Sequence, residues 1–141
     1  RLGVLAYSLG AQALTSALCD YDPSPSGTTS ERPCAAPQLR VVLMAGAIPT
    51  NWPCSVDGQA CVGRCMHHLM LINNTQDRVL DVYERFTGEA PVGTHGTMIH
   101  TPIPTEVYVL QNREIDNHFL QRYLQHGDTR RLIRRGLFET P

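Results

Sequence analysis

The apolar and polar positions of the chain sort into alternating strand-like and helix-like stretches. An apolar run from Leu2 to Ala6 reaches a polar residue at Ser8 and then resumes as Leu9, Ala13, Leu14, Ala17 and Leu18. The first part predicts a strand and the second, by its spacing, a helix. Asp20 to Pro37 is rich in Pro, Ser, Thr and Gly and predicts a long surface loop. Leu39 to Gly46 is a continuous apolar run of strand length, the pattern of a strand buried on both faces. Ile48 to Asp57 carries Pro49 and Pro53 and breaks regular structure, while Gln59 to Met66 is a candidate for a short helical piece. His68 to Asn73 predicts a third strand. Arg78 to Phe86 predicts a helix with Val79, Leu80, Val82, Tyr83 and Phe86 apolar, and Gly88 is placed to stop it. Gly88 to Pro104 reads as a second long loop and Glu106 to Leu110 as a fourth strand. Asp116 to His126 predicts a helix with Phe119, Leu120, Tyr123 and Leu124 on one face, ended by Gly127, and Thr129 to Phe138 a further short helix.

Alternation of this kind predicts an α/β fold: a mostly parallel sheet of about four strands with flanking helices. Ligands of such sheets bind beyond the carboxyl ends of the strands. The polar, reactive residues fall there in sequence: Ser8 after the first strand, Asp77 after the third, His118 after the fourth.

Composition narrows the class. A chain of 141 residues with 42% hydrophobic and 18% charged residues is expected to form one domain with a real core. A net charge of −1 gives no general attraction to nucleic acid or to an anionic membrane. No apolar run reaches the length of a membrane span, and no basic-then-apolar leader opens the chain. The chain does not start with methionine and its first residues already read as a core strand, which suggests a fragment or processed chain. Five cysteines (Cys19, Cys34, Cys54, Cys61, Cys65) leave one unpaired if the rest form bridges. They fit reduced thiols and a cytoplasmic setting; in an oxidising compartment Cys61 pairs with Cys54 or Cys65.

Ser8 stands between Ala6 and Gly10, at the junction of strand and helix. This is the form of a nucleophile elbow, in which a strained turn brings the backbone so close that side chains at the flanking positions collide. A serine that merely caps a helix fits the same residues. Asp77 is a candidate acid, but it also follows Asn74 by three residues, as in a capping box. Asp81, a turn further on, competes with it. His118 competes with His95, His100 and His126, and a plain surface histidine is its duller reading.

Taken together, the chain resembles the C-terminal half of an α/β-hydrolase, from the nucleophile elbow onward. The resemblance rests on Ala6-Tyr7-Ser8-Leu9-Gly10 and on the chain order serine, acid, histidine. Leu71 to Leu80, around Asp77, and Ile115 to Phe119, around His118, are similar to the acid and histidine loops of uncharacterised bacterial α/β-hydrolases, and Pro91 to Gly96 adds to the likeness. The resemblance implies a partial α/β-hydrolase fold and a serine hydrolase acting on an ester, thioester or similar small acyl substrate, without a cofactor. Ser8 is then the nucleophile, His118 the general base, Asp77 the residue that orients it, and the Leu9 N–H an oxyanion donor. It also implies that the strands preceding the elbow, and a loop supplying the other oxyanion donor, belong to a missing N-terminal half. Without that half the first strand presents an open edge and the isolated chain is expected to fold poorly.

Other classes keep their own residues. Cys54, Cys61, Cys65, His67 and His68 are thiols and imidazoles of the kind that hold zinc, but they lack the paired two-residue gap of common zinc modules. A hydrolase-like fold serving only for binding also fits the pattern. Arg130, Arg131, Arg134 and Arg135 read as a solvated helix face, or as a contact for an acidic partner. Trp52 lines a pocket or packs within its loop. Asn73-Asn74-Thr75 matches a glycosylation sequon, although it lies at a strand end.

Overall fold

A computed structural model of the chain describes residues 2–20, 39–52, 66–95, 103–110, 115 and 118–139. Its centre is β2 (Leu39–Met44) and β3 (Met66–Asn74), every residue of which is buried except the half-buried His67. β1 (Leu2–Tyr7) and β4 (Thr105–Leu110) flank them, giving a four-stranded sheet of order β1-β2-β3-β4 with all neighbours parallel. The continuous apolar runs of the inner strands follow from this position, because helices cover both faces. β1 and β4 lie at the edges and are correspondingly half-exposed.

On one face, Val4 and Ala6 of β1 join Val41 and Leu43 of β2 and Leu69 and Leu71 of β3. α1 (Leu9–Asp20) covers them with Ala11, Leu14 and Leu18. Trp52 packs against the same cluster. On the other face, Leu5, Val42, Met44, Met70 and Ile72 meet Leu80 of α2 (Arg78–Thr87), Tyr123 of α4 (Leu120–Gln125) and Leu132, Ile133 and Leu137 of α5 (Gly127–Phe138). Gly136 lets α5 approach the sheet, since a Cβ there would lie 2.6 Å from Val42 Cγ2 and 2.8 Å from Met70 Sδ. α2 ends as expected at Gly88, which adopts φ 72° and donates its N–H to the Glu84 carbonyl.

Several expectations need correction. The stretch from Gly88 to Pro104 is not a loop throughout: Val92–His95 forms a short helix, α3. It forms because Val92 N–H donates to the Ile48 carbonyl and Gly93 N–H to the Gly46 carbonyl, which clips this segment onto the chain leaving β2. The helix expected from Asp116 begins, within the described residues, only at Leu120, and Phe119 has extended backbone. Gly127 does not simply end a helix; the break falls at His126 and Gly127 opens α5. β2 stops at Met44 because Ala45 turns with φ 47°. β3 starts at Met66, the last residue of the expected helical piece, and its pairing with β2 skips His67. Residues 59–65 of that piece, and residues 21–37 of the first loop, lie outside the described residues.

At the amino-terminal rim of the sheet a polar chain, buried at Arg40 and His68, joins three strands to α5. Arg40 Nε donates to the Gly136 carbonyl at 2.8 Å, and Arg40 Nη2 lies 3.4 Å from His68 Nδ1. His68 Nε2 in turn contacts Glu106 Oε1 at 3.0 Å. Glu106 Oε2 accepts from Tyr108 at 2.6 Å and from Arg135 at 2.8 Å. Burial pushes the Glu106 carboxyl up, but the hydrogen bonds from Tyr108 and His68 and the nearby Arg135 charge outweigh it and hold the group below its ordinary value.

Candidate active site

At the opposite rim, β1 runs out at Tyr7 and Ser8 takes a left-handed conformation, φ 54°, before α1 begins. A non-glycine residue there is strained, and the neighbouring backbone holds it: Ser8 N–H donates to the Met44 carbonyl at 3.1 Å, and the Ser8 carbonyl accepts from Ala11 at 3.0 Å and Ala47 at 3.2 Å. One part of the expectation changes. A Cβ added at Gly10 would meet no described atom within 4 Å, so the described residues do not impose a small side chain at that position.

Asp77 is fully buried and its two oxygens have separate partners. Oδ1 caps α2, accepting from Val79 N–H at 3.1 Å and Leu80 N–H at 3.4 Å. Oδ2 faces the sheet rim and lies 2.6 Å from His118 Nδ1 and 2.6 Å from the Tyr123 hydroxyl. Capping and site formation are thus compatible roles of one carboxylate. Asn74 is not the N-cap; its Oδ1 accepts from Gln76 N–H while its carbonyl accepts from Asp77 N–H. Burial pushes the Asp77 carboxyl up, but the hydrogen bonds from His118 and Tyr123 prevail and keep it below its ordinary value.

His118 lies outside regular structure, one residue before the extended Phe119 that precedes α4, and its ring is largely buried. Its Nδ1–H donates to Asp77 Oδ2, leaving the Nε2 lone pair to accept from Ser8 Oγ–H at 2.5 Å. The Tyr7 ring stacks on the imidazole, with centroids 4.9 Å apart and planes at 27°, and meets Tyr123 edge-on at 5.6 Å. Burial raises both phenols well above the usual tyrosine range, Asp77's charge adding to the effect at Tyr7 and its hydrogen bond at Tyr123. Leu9 is the first residue of α1, so its N–H belongs to the free donors of a helix N-terminus, beside the Ser8 hydroxyl in the chain.

The rival residues lie elsewhere. Asp81 sits in the first turn of α2, exposed. His95 contacts Thr94 Oγ1 at 2.8 Å and lies 3.7 Å from Glu84. His126 lies 3.5 Å from Thr129 Oγ1. His100 lies outside the described residues, as do Cys54, Cys61 and Cys65. His68 belongs to the buried chain at the other rim, and no group of three or more His, Cys, Asp or Glu suited to a metal occurs among the described residues. Arg131 pairs with Asp128 and Arg135 with Glu106. Asn73 of the sequon is buried.

Three residues around Ser8, His118 and Asp77 were not singled out by the sequence for these contacts: Tyr7, Asn74 and Tyr123. Tyr123 reads from sequence as part of an apolar helix face, and only its hydroxyl, on a residue five beyond His118, hints at more. The described helices include none long and apolar enough to cross a membrane. The chain matches no protein-family model, no curated protein and no solved structure.

Proposed function

We propose that the protein is a serine hydrolase that transfers the acyl group of an ester, thioester or similar small substrate to water. The reading is supported above all by the unbroken hydrogen-bonded line from Ser8 Oγ through the His118 imidazole to Asp77 Oδ2. Nucleophile, base and orienting acid need that order and those atoms. The base must present a lone pair to the hydroxyl, and Asp77 holds the tautomer that does so.

In the proposed reaction Ser8 Oγ attacks the acyl carbon as His118 Nε2 takes its proton. The oxyanion forms beside the Leu9 N–H, where the N-terminus of α1 favours negative charge. His118 then returns the proton to the leaving group, and a water molecule activated by the same imidazole releases the acyl group from Ser8.

Labelling of the full-length protein with a fluorophosphonate tests the proposal. Ser8 is expected to be the modified residue, and Ser8→Ala is expected to abolish both labelling and hydrolysis of activated esters. Folded protein that leaves Ser8 unmodified overturns it.

A further inference from the structure

Asn74 commits each of its polar groups. Its Oδ1 accepts from the Gln76 N–H, so the amide orientation is set by the network. Its Nδ2 donates to the Ile115 carbonyl at 2.6 Å and to the Tyr123 hydroxyl at 3.0 Å. A phenol that accepts from Asn74 has its one proton left to give, and the acceptor in reach is Asp77 Oδ2 at 2.6 Å. Tyr123 is itself fully buried, and its ring meets Tyr7, whose face lies on His118.

We propose that Tyr123 is a positioning residue of this site: its hydroxyl, anchored by Asn74, fixes Asp77 Oδ2 at the point where His118 Nδ1 meets it. Together with the two N–H groups of α2 on Oδ1 and the His118 Nδ1–H on Oδ2, this donor supplies the carboxylate with four hydrogen bonds. A carboxylate so fully occupied stays ionised and orients the imidazole rather than taking its proton. The groups facing Asp77 are His118 from the segment before α4, Tyr123 from α4 and Tyr7 from β1. A tyrosine serving only to fill the core needs none of these contacts at its hydroxyl.

The role in turnover rests on the serine-hydrolase reading, whereas the role at Asp77 is measurable without it. Tyr123→Phe in the full-length protein removes the donor and keeps the ring. The Asp77 carboxyl, followed by carboxyl-carbon NMR through a pH titration, is expected to titrate at higher pH than in the wild type. Turnover is expected to fall about tenfold in kcat, with KM changed by less than about twofold, the effect of losing one charge-assisted hydrogen bond. A fluorinated tyrosine placed at position 123, a more acidic phenol of nearly the same shape, is expected to move the Asp77 titration the other way. An Asp77 titration that ignores both replacements overturns the proposal, and if Tyr123→Phe fails to fold the fluorinated residue decides alone. Wild-type protein unlabelled at Ser8 overturns the hydrolase reading instead, and leaves the Asp77 titration to judge Tyr123.

Discussion

Asp77 shows how much one side chain can be asked to do. One oxygen begins a helix and the other holds the His118 imidazole, so different substitutions separate the two tasks. Asparagine caps a helix about as well as aspartate. It also offers an amide N–H to the imidazole, which then presents Nε2–H to Ser8 and cannot accept its proton. Asp77→Asn is therefore expected to keep the fold, judged by circular dichroism, while kcat falls by roughly 10⁴-fold, the cost of the same exchange in a serine protease. Ser8 and Asp77 were legible in the sequence because each follows a strand and each has a local signature. Tyr123 was not, since its contact with Asp77 spans 46 residues and depends on how α4 seats against the sheet.

Among the elements, the chain leaving β2 controls the elbow. Ala45 turns with a left-handed backbone, Ala47 N–H holds the Ser8 carbonyl, and α3 is clipped to the same segment. Gly93 makes that clip tight: a Cβ there would lie 2.5 Å from the Ala45 carbonyl carbon and 2.6 Å from both Gly46 N and Leu80 Cδ1. Backbone atoms yield little, so Gly93→Ala is expected to cost about 1–3 kcal/mol in urea unfolding, the usual range for overpacking. It is also expected to slow fluorophosphonate labelling, because the displaced segment supports Ser8. The strands and main helices announced themselves in the sequence through continuous apolar runs and 3.6-residue spacing. α3 did not, because one short turn between prolines and glycines takes its stability from a distant strand end. The start of α4 differs from the sequence expectation for a related reason: the periodic pattern continues through His118, but the imidazole is held by Asp77 and the helix begins two residues later.

For the molecule as a whole, the parallel sheet has two polar ends with different chemistry. The triad residues gather at the carboxyl rim, and the Arg40–His68–Glu106–Arg135 chain ties strands to α5 at the other. Glu106 is held below its ordinary pKa in the fold, so it binds a proton more readily when unfolded. Its contribution to stability is complete above the ordinary glutamate range, near pH 4.3, and disappears as pH falls through the lower folded value. Glu106→Gln is therefore expected to flatten the acid limb of the stability curve, measured as the urea midpoint between about pH 3 and pH 6.

The order of the strands has a consequence for access to the serine. Ser8 stands at the end of β1, and β1 pairs on one side only among the described residues. Among the described residues its other side is an unpaired row of amides and carbonyls running straight to the Ser8 hydroxyl. Any polypeptide laid along that row in the same direction finishes next to Ser8, so an occupant of the row would form one wall of the proposed site.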